Sequence, residues 1–499
     1  MPQLRILAPW LLPCLLLVAP GCRDEDEPTP TVETGSSAQE TTHDVVIVGA
    51  GVSGLYAARQ LVDLGWDVTV IEATDRYGGR VLPLEGFGDF TIELGGEYIV
   101  GGGEPQGSGA GDTCSHGCHL TREIDALDPE RLTPVWAGKP AGQDGLYEMD
   151  SGNEWDWTST DPDLRDLWRW YGDISQYDGP DVTVAEHLET EHGIGADHRA
   201  YFLYDIFVGG EYGTSITRMG MYSTAREWGN WQDTGNWGLA TSDMLSTLTE
   251  LYFEPVLDTV VYESPVVRVE YGGDRPAAID SHGIRHEGDA VLVTVSVAVL
   301  RDEVIEFDPP LPAEKVAAID TIGMGPSMKV VLRFSEPFWD TDRMFDLAVA
   351  GPTDLCWTPG LVKEGATNDV LVCFINGEHA ETMQALGDDG TIARALTDLD
   401  EMFTSPDDLT PATTRFEEGL VQDWGAEPYV RGAYSFPAPG TYPTDGGSNM
   451  KEVLAEPVDD RVFFGGEATS LYHPATVHGA MEGGSRAARE IDAVLEQAR

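Results

Sequence analysis

The sequence predicts an α/β fold in which a parallel-sheet domain is laid down in separated pieces, with an α+β domain inserted between them. Three observations carry this. Residues 44–48 form a β-branched run that stops at Gly49-Ala50-Gly51-Val52-Ser53-Gly54, after which Leu55, Ala58, Leu61 and Leu64 return at helical spacing. Two more strand-like runs, 265–271 and 290–295, come only after a stretch, 119–251, rich in tryptophan and tyrosine and helically spaced in places. An alternating strand then follows within 325–334, with Met328, Val330, Leu332 and Phe334 on one face and Lys329, Val331 and Arg333 on the other.

The first element carries the clearest chemistry. Gly49 allows a tight turn, Gly51 lets a diphosphate approach bare backbone, and Gly54 lets the helix pack close to the strand, with Ser53 inside the same turn. The helix N-terminus then faces the phosphate charge. A second strand, 67–71, delivers Glu72 eighteen residues past the last glycine, where a carboxylate accepts hydrogen bonds from a ribose diol. Strand, turn, helix, strand and acid together indicate dinucleotide binding; the alternative is a glycine-rich turn of purely structural use.

Ala73-Thr74-Asp75-Arg76-Tyr77-Gly78-Gly79-Arg80 places a second glycine pair, with Ala73 and Gly79, and the forked donor Arg80 beside that site. Here the chain resembles the flavin-containing amine oxidase family, which carries a similar E-A-x-x-R-x-G-G-R run. The resemblance implies FAD rather than NAD, held in a discontinuous Rossmann-like FAD-binding domain with an inserted α+β substrate-binding domain. Thr74 departs from the arginine of many relatives.

The 499 residues, 41% of them hydrophobic, suffice for two or three domains and exclude disorder for most of the chain. The 86 acids against 30 bases give a net charge of −56. Such a surface repels nucleic acid and anionic membranes and attracts cations such as polyamines; it also serves simply as a solvated acidic coat.

The N-terminus has one arginine, Arg5, then an apolar core over 6–18 that is too short and proline-broken to span a membrane, and it reads as a secretory signal. Ala19-Pro20-Gly21-Cys22 looks like a bacterial lipoprotein cleavage site, so the expectation is export to a periplasm or cell surface with a lipid on Cys22, plain secretion being the alternative. The absence of a twin arginine implies that FAD binds after translocation. Once Cys14 and Cys22 are set aside, Cys114, Cys118, Cys356 and Cys373 remain, an even number that suggests two disulfides in an oxidising compartment. Nearest-neighbour pairing, Cys114 with Cys118 and Cys356 with Cys373, is the expectation. Cys114-Ser-His-Gly-Cys118-His119 also admits a metal reading, but its spacing and the lack of a second ligand pair leave no metal assigned.

In chain order, 1–21 is the signal and 22–42 an acidic, proline-rich disordered linker. FAD-binding pieces are expected at 43–118, 254–315 and 450–499, and substrate-domain pieces at 119–253, which is helical, and 316–449. Thr91-Ile-Glu-Leu-Gly-Gly-Glu-Tyr98 resembles the family's L-G-G turn past the flavin, which implies that Gly95, Gly96 and Glu97 bind cofactor. The glycine-rich insert 100–117 reads as a surface loop. Trp228, Trp231 and Trp237 are expected in the core rather than a pocket.

By match to the family, the backbone of Val266 holds the adenine. Ser296 stands where relatives keep a proline in the turn 294–300. An exposed strand lysine is the default reading of Lys329, but the match G-x-x-x-K-V-x-L-x-F-x-x-P-F-W implies a lysine that reaches flavin N5 through a water. Residues 423–435 resemble the stretch carrying one aromatic wall of the substrate cage, which falls on Tyr434. Ala433 replaces the cysteine through which monoamine oxidases bond flavin, so non-covalent FAD is implied. Gly466, Glu467 and Val477 match the closing strand and flavin-facing helix, with Thr476 where monoamine oxidases have a second cage tyrosine.

The resemblance implies oxidation of a small-molecule primary or secondary amine to an imine, with O2 reduced to hydrogen peroxide, and Lys329, Tyr434 and Thr476 as catalytic candidates. Alternatives are an L-amino acid oxidase, a carbon-carbon desaturase of the same superfamily, and a non-catalytic FAD-binding lipoprotein. Nothing in the sequence sets the oligomeric state.

Overall fold

The computed structural model describes residues 40–100, 116–134, 145–147, 154–156, 162–198, 200–231, 236–339, 341, 346–349, 351–363 and 365–498. The expected signal, Cys22, most of the expected linker, Cys114 and nearly all of the glycine-rich insert lie outside the described residues. So do the Cys114–Cys118 pairing and its metal alternative.

The β-branched runs assemble a five-stranded parallel sheet. Its strands are β1 (Val45–Val48), β2 (Val68–Ile71), β3 (Val260–Val261), β4 (Ala290–Val293) and β5 (Val462–Phe464), in spatial order β3-β2-β1-β4-β5. Pairing is residue for residue: Val45 to Val48 lie opposite Val68 to Ile71 on one side and Ala290 to Val293 on the other. Both faces are covered, so β1 is buried along its whole length and shows no alternation of polarity.

Val45 and Ile47 pack with Leu55, Ala58 and Leu61 of helix α1 (Val52–Asp63) and with Ile491 of the closing helix α2 (Val477–Ala498). Val46 and Val48 face a second core that includes Val266, Val269 and Phe464. Each fully buried leucine here contributes roughly 1.5–3 kcal/mol. The strand order reverses between β1 and β4, and in such sheets the carboxyl ends at the reversal open a crevice for ligand.

Of the two later runs, only 290–293 joins this sheet. Val266–Glu270 lies in a separate five-stranded sheet, antiparallel to Ala277–Asp280, which in turn pairs with Arg285–Glu287. At one edge of that sheet, Glu40–Thr42, within the stretch expected to be linker, pairs in parallel with Arg285–Glu287. Ser296, where relatives have proline, caps the short helix Val297–Arg301 by accepting a hydrogen bond from Val299 N at 3.3 Å, and its own hydroxyl donates to Val430 O at 2.6 Å.

A third, antiparallel sheet orders Asp346–Val349, Asp354–Trp357, Val370–Asn376, Ser327–Phe334 and Phe416–Asp423. The expected alternation holds: Met328, Val330, Leu332 and Phe334 enter one core with Leu371, Ile375 and Leu399, while Val331 enters another with Trp357 and Val370. Cys356 and Cys373 lie directly opposite on neighbouring strands and form a disulfide. A fifth core gathers Leu167, Val184, Leu188, Leu203 and Tyr204 from the helical region. No helix among the described residues is long and apolar enough to cross a membrane.

Candidate active site

The crevice at the carboxyl ends of β1 and β4 opens into a cavity of about 1290 Å³. That exceeds the roughly 300–1,000 Å³ of common ligand pockets. Gly49, Gly51, Ser53, Glu72, Ala73, Gly79, Arg80, Gly95, Gly96, Glu97, Val266, Lys329, Tyr434, Gly466, Glu467, Thr476 and Val477 all line it. Gly54 stands behind the wall.

Two glycines shape the turn. Gly49 has φ +103°, a conformation that side chains disfavour. At Gly54 a Cβ would stand 2.0 Å from Gly49 O, so its absence lets α1 start directly over the strand end. The N-cap of α1, Gly51, makes no side-chain capping bond, and the first turn holds no acid. Its amides are therefore ready for an anion.

Glu72 is held in place at the end of β2. Ala50 N donates to Oε2 at 2.8 Å, and Thr74 donates to Oε1 through both its amide (2.9 Å) and its hydroxyl (2.8 Å). Thr74, the departure from the family pattern, thus orients the acid expected to meet a ribose. Pro265 and Val266 line the same cavity beside Ser296 and Val430.

Midway along the cavity a charged joint ties distant segments together. Arg80 Nη1 donates to Ala433 O at 2.7 Å and to Glu467 Oε1 at 3.0 Å. Ser435 donates to Glu467 through its amide (3.2 Å) and hydroxyl (2.7 Å), and Ala475 N donates at 3.0 Å. Burial opposes the charge on Glu467, yet Arg80, Lys451 and the Ser435 hydroxyl hold its carboxyl below the usual range. Lys451 in turn pairs with Glu227 at 2.9 Å, both side chains fully buried. Arg80 keeps further donors for a phosphate, since a guanidinium has five.

At Gly95, one of the expected cofactor residues, a Cβ would stand 1.7 Å from Arg80 O, so the glycine also lets the turn pass the Arg80 backbone. At Gly96 the nearest obstacle would be Val477, at the start of α2.

Lys329 is buried and all three of its ammonium donors are used, by Glu93 O (2.8 Å), Gly95 O (3.1 Å) and Glu97 Oε2 (3.0 Å). It lies 5.1 Å from the Trp357 ring centroid, and Trp357 Nε1 donates to Glu97 Oε1 at 3.2 Å. A water can reach Lys329 only by displacing one of these partners. Glu93 accepts from Met244 N at 2.6 Å, and burial pushes its carboxyl up to about 7.

Phe374 lies beside Lys329 on the neighbouring strand, Tyr434 stacks on it at 6.4 Å and 29°, and the Tyr434 hydroxyl donates to Gly210 O at 3.3 Å. Burial and Glu211 push the Tyr434 phenol far above the ordinary tyrosine range, so it stays neutral. Thr476 lines the cavity, but its hydroxyl donates to His473 O (2.8 Å) and accepts from Gly479 N (2.9 Å), which makes it a cap for α2.

One expectation about tryptophans is corrected: Trp231, just past the end of the helix Met221–Asn230, lines the cavity. Trp228 both lines it and packs against the core of the helical region, and Trp237 packs against the core beneath the parallel sheet. Sequence reasoning also missed Glu211, Asp354, Phe374 and Asn376, which line the cavity beyond Tyr434. The Gly209-Gly210-Glu211 run was the one available signal.

The residues present fit a flavin dinucleotide. An uncapped helix N-terminus for a diphosphate, a clamped acid for a ribose and a second helix start at Val477 all open onto one continuous cavity.

Comparison with known proteins agrees with that geometry. The family model for flavin-containing amine oxidoreductases matches residues 52–492. Lysine-specific histone demethylase 1B of Mus musculus is 28% identical over 473 residues, covering 90% of this chain and 53% of that protein. Lysine-specific histone demethylase 1 homolog 3 of Arabidopsis thaliana is 29% identical over 513 residues, 90% of this chain and 30% of that protein. The chain thus spans about half or less of these relatives. Among solved structures, putrescine oxidase bound to putrescine superposes with a TM-score of 0.71 at 20% identity, covering 91% of this chain and 100% of the other. Cyclohexylamine oxidase from Brevibacterium oxydans gives 0.69 at 21%, covering 92% and 100%. At such identities the likeness shows the fold.

Proposed function

Because the chain belongs to the flavin-containing amine oxidoreductase family, we propose that it oxidises a small primary or secondary amine to an imine, with O2 reduced to hydrogen peroxide. The observation that carries this is the continuity of one cavity from the uncapped start of α1 to the wall formed by Lys329, Trp357, Phe374 and Tyr434. FAD, bound without a covalent link because Ala433 offers no thiol at the matched position, would supply the two-electron acceptor for a C–H bond next to nitrogen. The substrate loses that hydrogen with its electron pair, its nitrogen completes the C=N bond, and water hydrolyses the imine.

The chain's own residues orient and shield. Glu72 would hold the ribose, the α1 amides and Arg80 the diphosphate, and the α2 start at Val477 the pyrimidine edge, where its positive end favours negative charge. Tyr434 and Phe374 stack into one aromatic wall against which an amine would lie, keeping water from the reacting carbon. Lys329 fixes a positive charge on the strand beside Phe374, and Glu97 is the partner it would exchange for a water.

Peroxide release on adding amines to the purified yellow protein tests the reading, and none with any amine would contradict it. Lys329→Met combined with Glu97→Gln, so that no carboxylate is left buried and unpaired, should retain flavin and slow turnover by at least about tenfold. Wild-type kinetics in that double variant would remove Lys329 from the mechanism.

A further inference from the structure

Four cavity-lining side chains of the antiparallel sheet share one covalent support behind them. Lys329, Phe374 and Leu355 lie abreast on neighbouring strands, and so, two residues along, do Val331, Val372 and Trp357. Lys329, Phe374, Leu355 and Trp357 all line the cavity. Between the two rows runs a third, Val330, Cys373 and Cys356, whose side chains alternate to the opposite face and enter the core with Ile375 and Leu399. The Cys356–Cys373 disulfide therefore joins two strands directly behind the cavity wall.

The strand with most need of such a support is Asp354–Trp357. It has four residues, starts at Asp354 with φ +53°, and has the edge strand Asp346–Val349 as its outer neighbour. Cys356 and Trp357 point to opposite faces and both are buried, so no polar face biases the register. A slip of one residue would exchange the faces, taking Trp357 out of the cavity and bringing Cys356 in. A covalent bond between directly opposed residues permits one register only. That register reaches Lys329 at one remove: Trp357 Nε1 donates to Glu97 Oε1 at 3.2 Å, and Glu97 Oε2 pairs with Lys329 Nζ at 3.0 Å.

We propose that the Cys356–Cys373 disulfide is a positioning element of the active site. It fixes the register that seats Leu355 and Trp357 beside Phe374 and Lys329, so that amine turnover, but not flavin binding, depends on it. The inference rests on the amine-oxidase reading and goes beyond it. The nucleotide end is built from other segments, the α1 turn and Glu72 above all, and keeps its shape without the bond. Forming the bond takes two electrons and two protons from the thiols; a disulfide oxidant such as oxidised glutathione accepts them by exchange and leaves as two thiols. Both cysteines are fully buried once folded, so the exchange belongs to the folding chain, and full activity requires folding in oxidising surroundings.

The test compares the wild type with the double variant Cys356→Ala, Cys373→Ala, both FAD-loaded and held well below the melting temperature of either. Visible absorbance per protein should be equal. Anaerobic bleaching of the flavin by cadaverine or pentylamine should slow by about tenfold or more in the variant, since small displacements of reacting groups carry penalties of that order. Trp357→Phe separates positioning from plain stabilisation. It should slow the wild type yet add little in the variant, because the disulfide acts through that side chain. Additive effects, or a wild-type bleaching rate in the variant, would overturn the proposal. The wild-type chain refolded with FAD under dithiothreitol, against the same chain refolded under oxidised glutathione, repeats the comparison without a substitution, and equal bleaching by the two would also overturn it. Hydrogen exchange of the 354–357 and 370–376 amides reads the strand pairing without turnover. Faster exchange in the variant, beside a wild type that no amine bleaches, would keep the register pin and remove the oxidase reading; unchanged exchange would overturn the pin.

Discussion

The nucleotide end of the cavity is made mostly of backbone, and the substrate end mostly of side chains. At the first, a turn with φ +103° at Gly49, the bare amides of α1 and a clamped Glu72 come from one short stretch of chain, 45–80. At the second, Lys329, Phe374 and Leu355 meet because three antiparallel strands place them side by side, while Glu211 and Tyr434 arrive from elsewhere. A site built from local backbone tolerates little change at its glycines but accepts the same ligand across a family. A site built from distant side chains can change specificity one residue at a time.

The sharpest way to break this comparison is Gly54→Ala. Its Cβ would fall 2.0 Å from Gly49 O, backbone that cannot step aside, so α1 must leave the strand end. The expected cost is about 3 kcal/mol or more, with loss of bound flavin read as visible absorbance per protein. A fully yellow, wild-type-stable variant would show that the nucleotide end does not depend on that close approach.

Glu467→Gln probes the joint between the two ends, since Arg80 from one and Ser435 from the other meet on this carboxylate. Breaking a buried pair costs about 3–5 kcal/mol, and the partial exposure of Arg80 sets the expectation at the lower end. Thermal melting checks it, and an unchanged midpoint would show that the joint is not a stabilising element.

The smallest expected effect concerns Glu93, which lies under Lys329 with its carboxyl raised from 4.5 to about 7 by burial. An acid with a raised folded pKa keeps its proton after the unfolded chain has lost it. Its contribution is therefore complete below about 4.5 and is lost as pH climbs through about 7. Asp205, raised to about 7, acts with the same sign. Glu93→Gln should flatten the fall in stability over that interval by on the order of 2 kcal/mol, measured by denaturant unfolding at several pH values. An unaltered slope would reject a protonated Glu93.

The same division explains what could be read from the sequence. The α/β class, the α1 turn and the alternating strand 327–334 follow from local spacing, because each depends on a period of two or 3.6 residues or on glycine chemistry. Trp228 and Trp231 could not be told from core residues, since helical spacing shows which residues share a face but not what that face meets. Glu211 and Asp354 were missed for a related reason: an acid in a chain with 86 of them carries no signal until the fold encloses it. Thr476 matched a cage position, yet its hydroxyl is committed to capping α2, which only the geometry of the helix start reveals.

The central claim is that one continuous cavity brings a flavin and an amine into contact. Anaerobic mixing of the purified yellow protein with cadaverine tests it most directly. The account predicts that the visible flavin absorbance bleaches on mixing and returns when oxygen is admitted. Flavin that stays yellow with cadaverine, spermidine and pentylamine alike would contradict it.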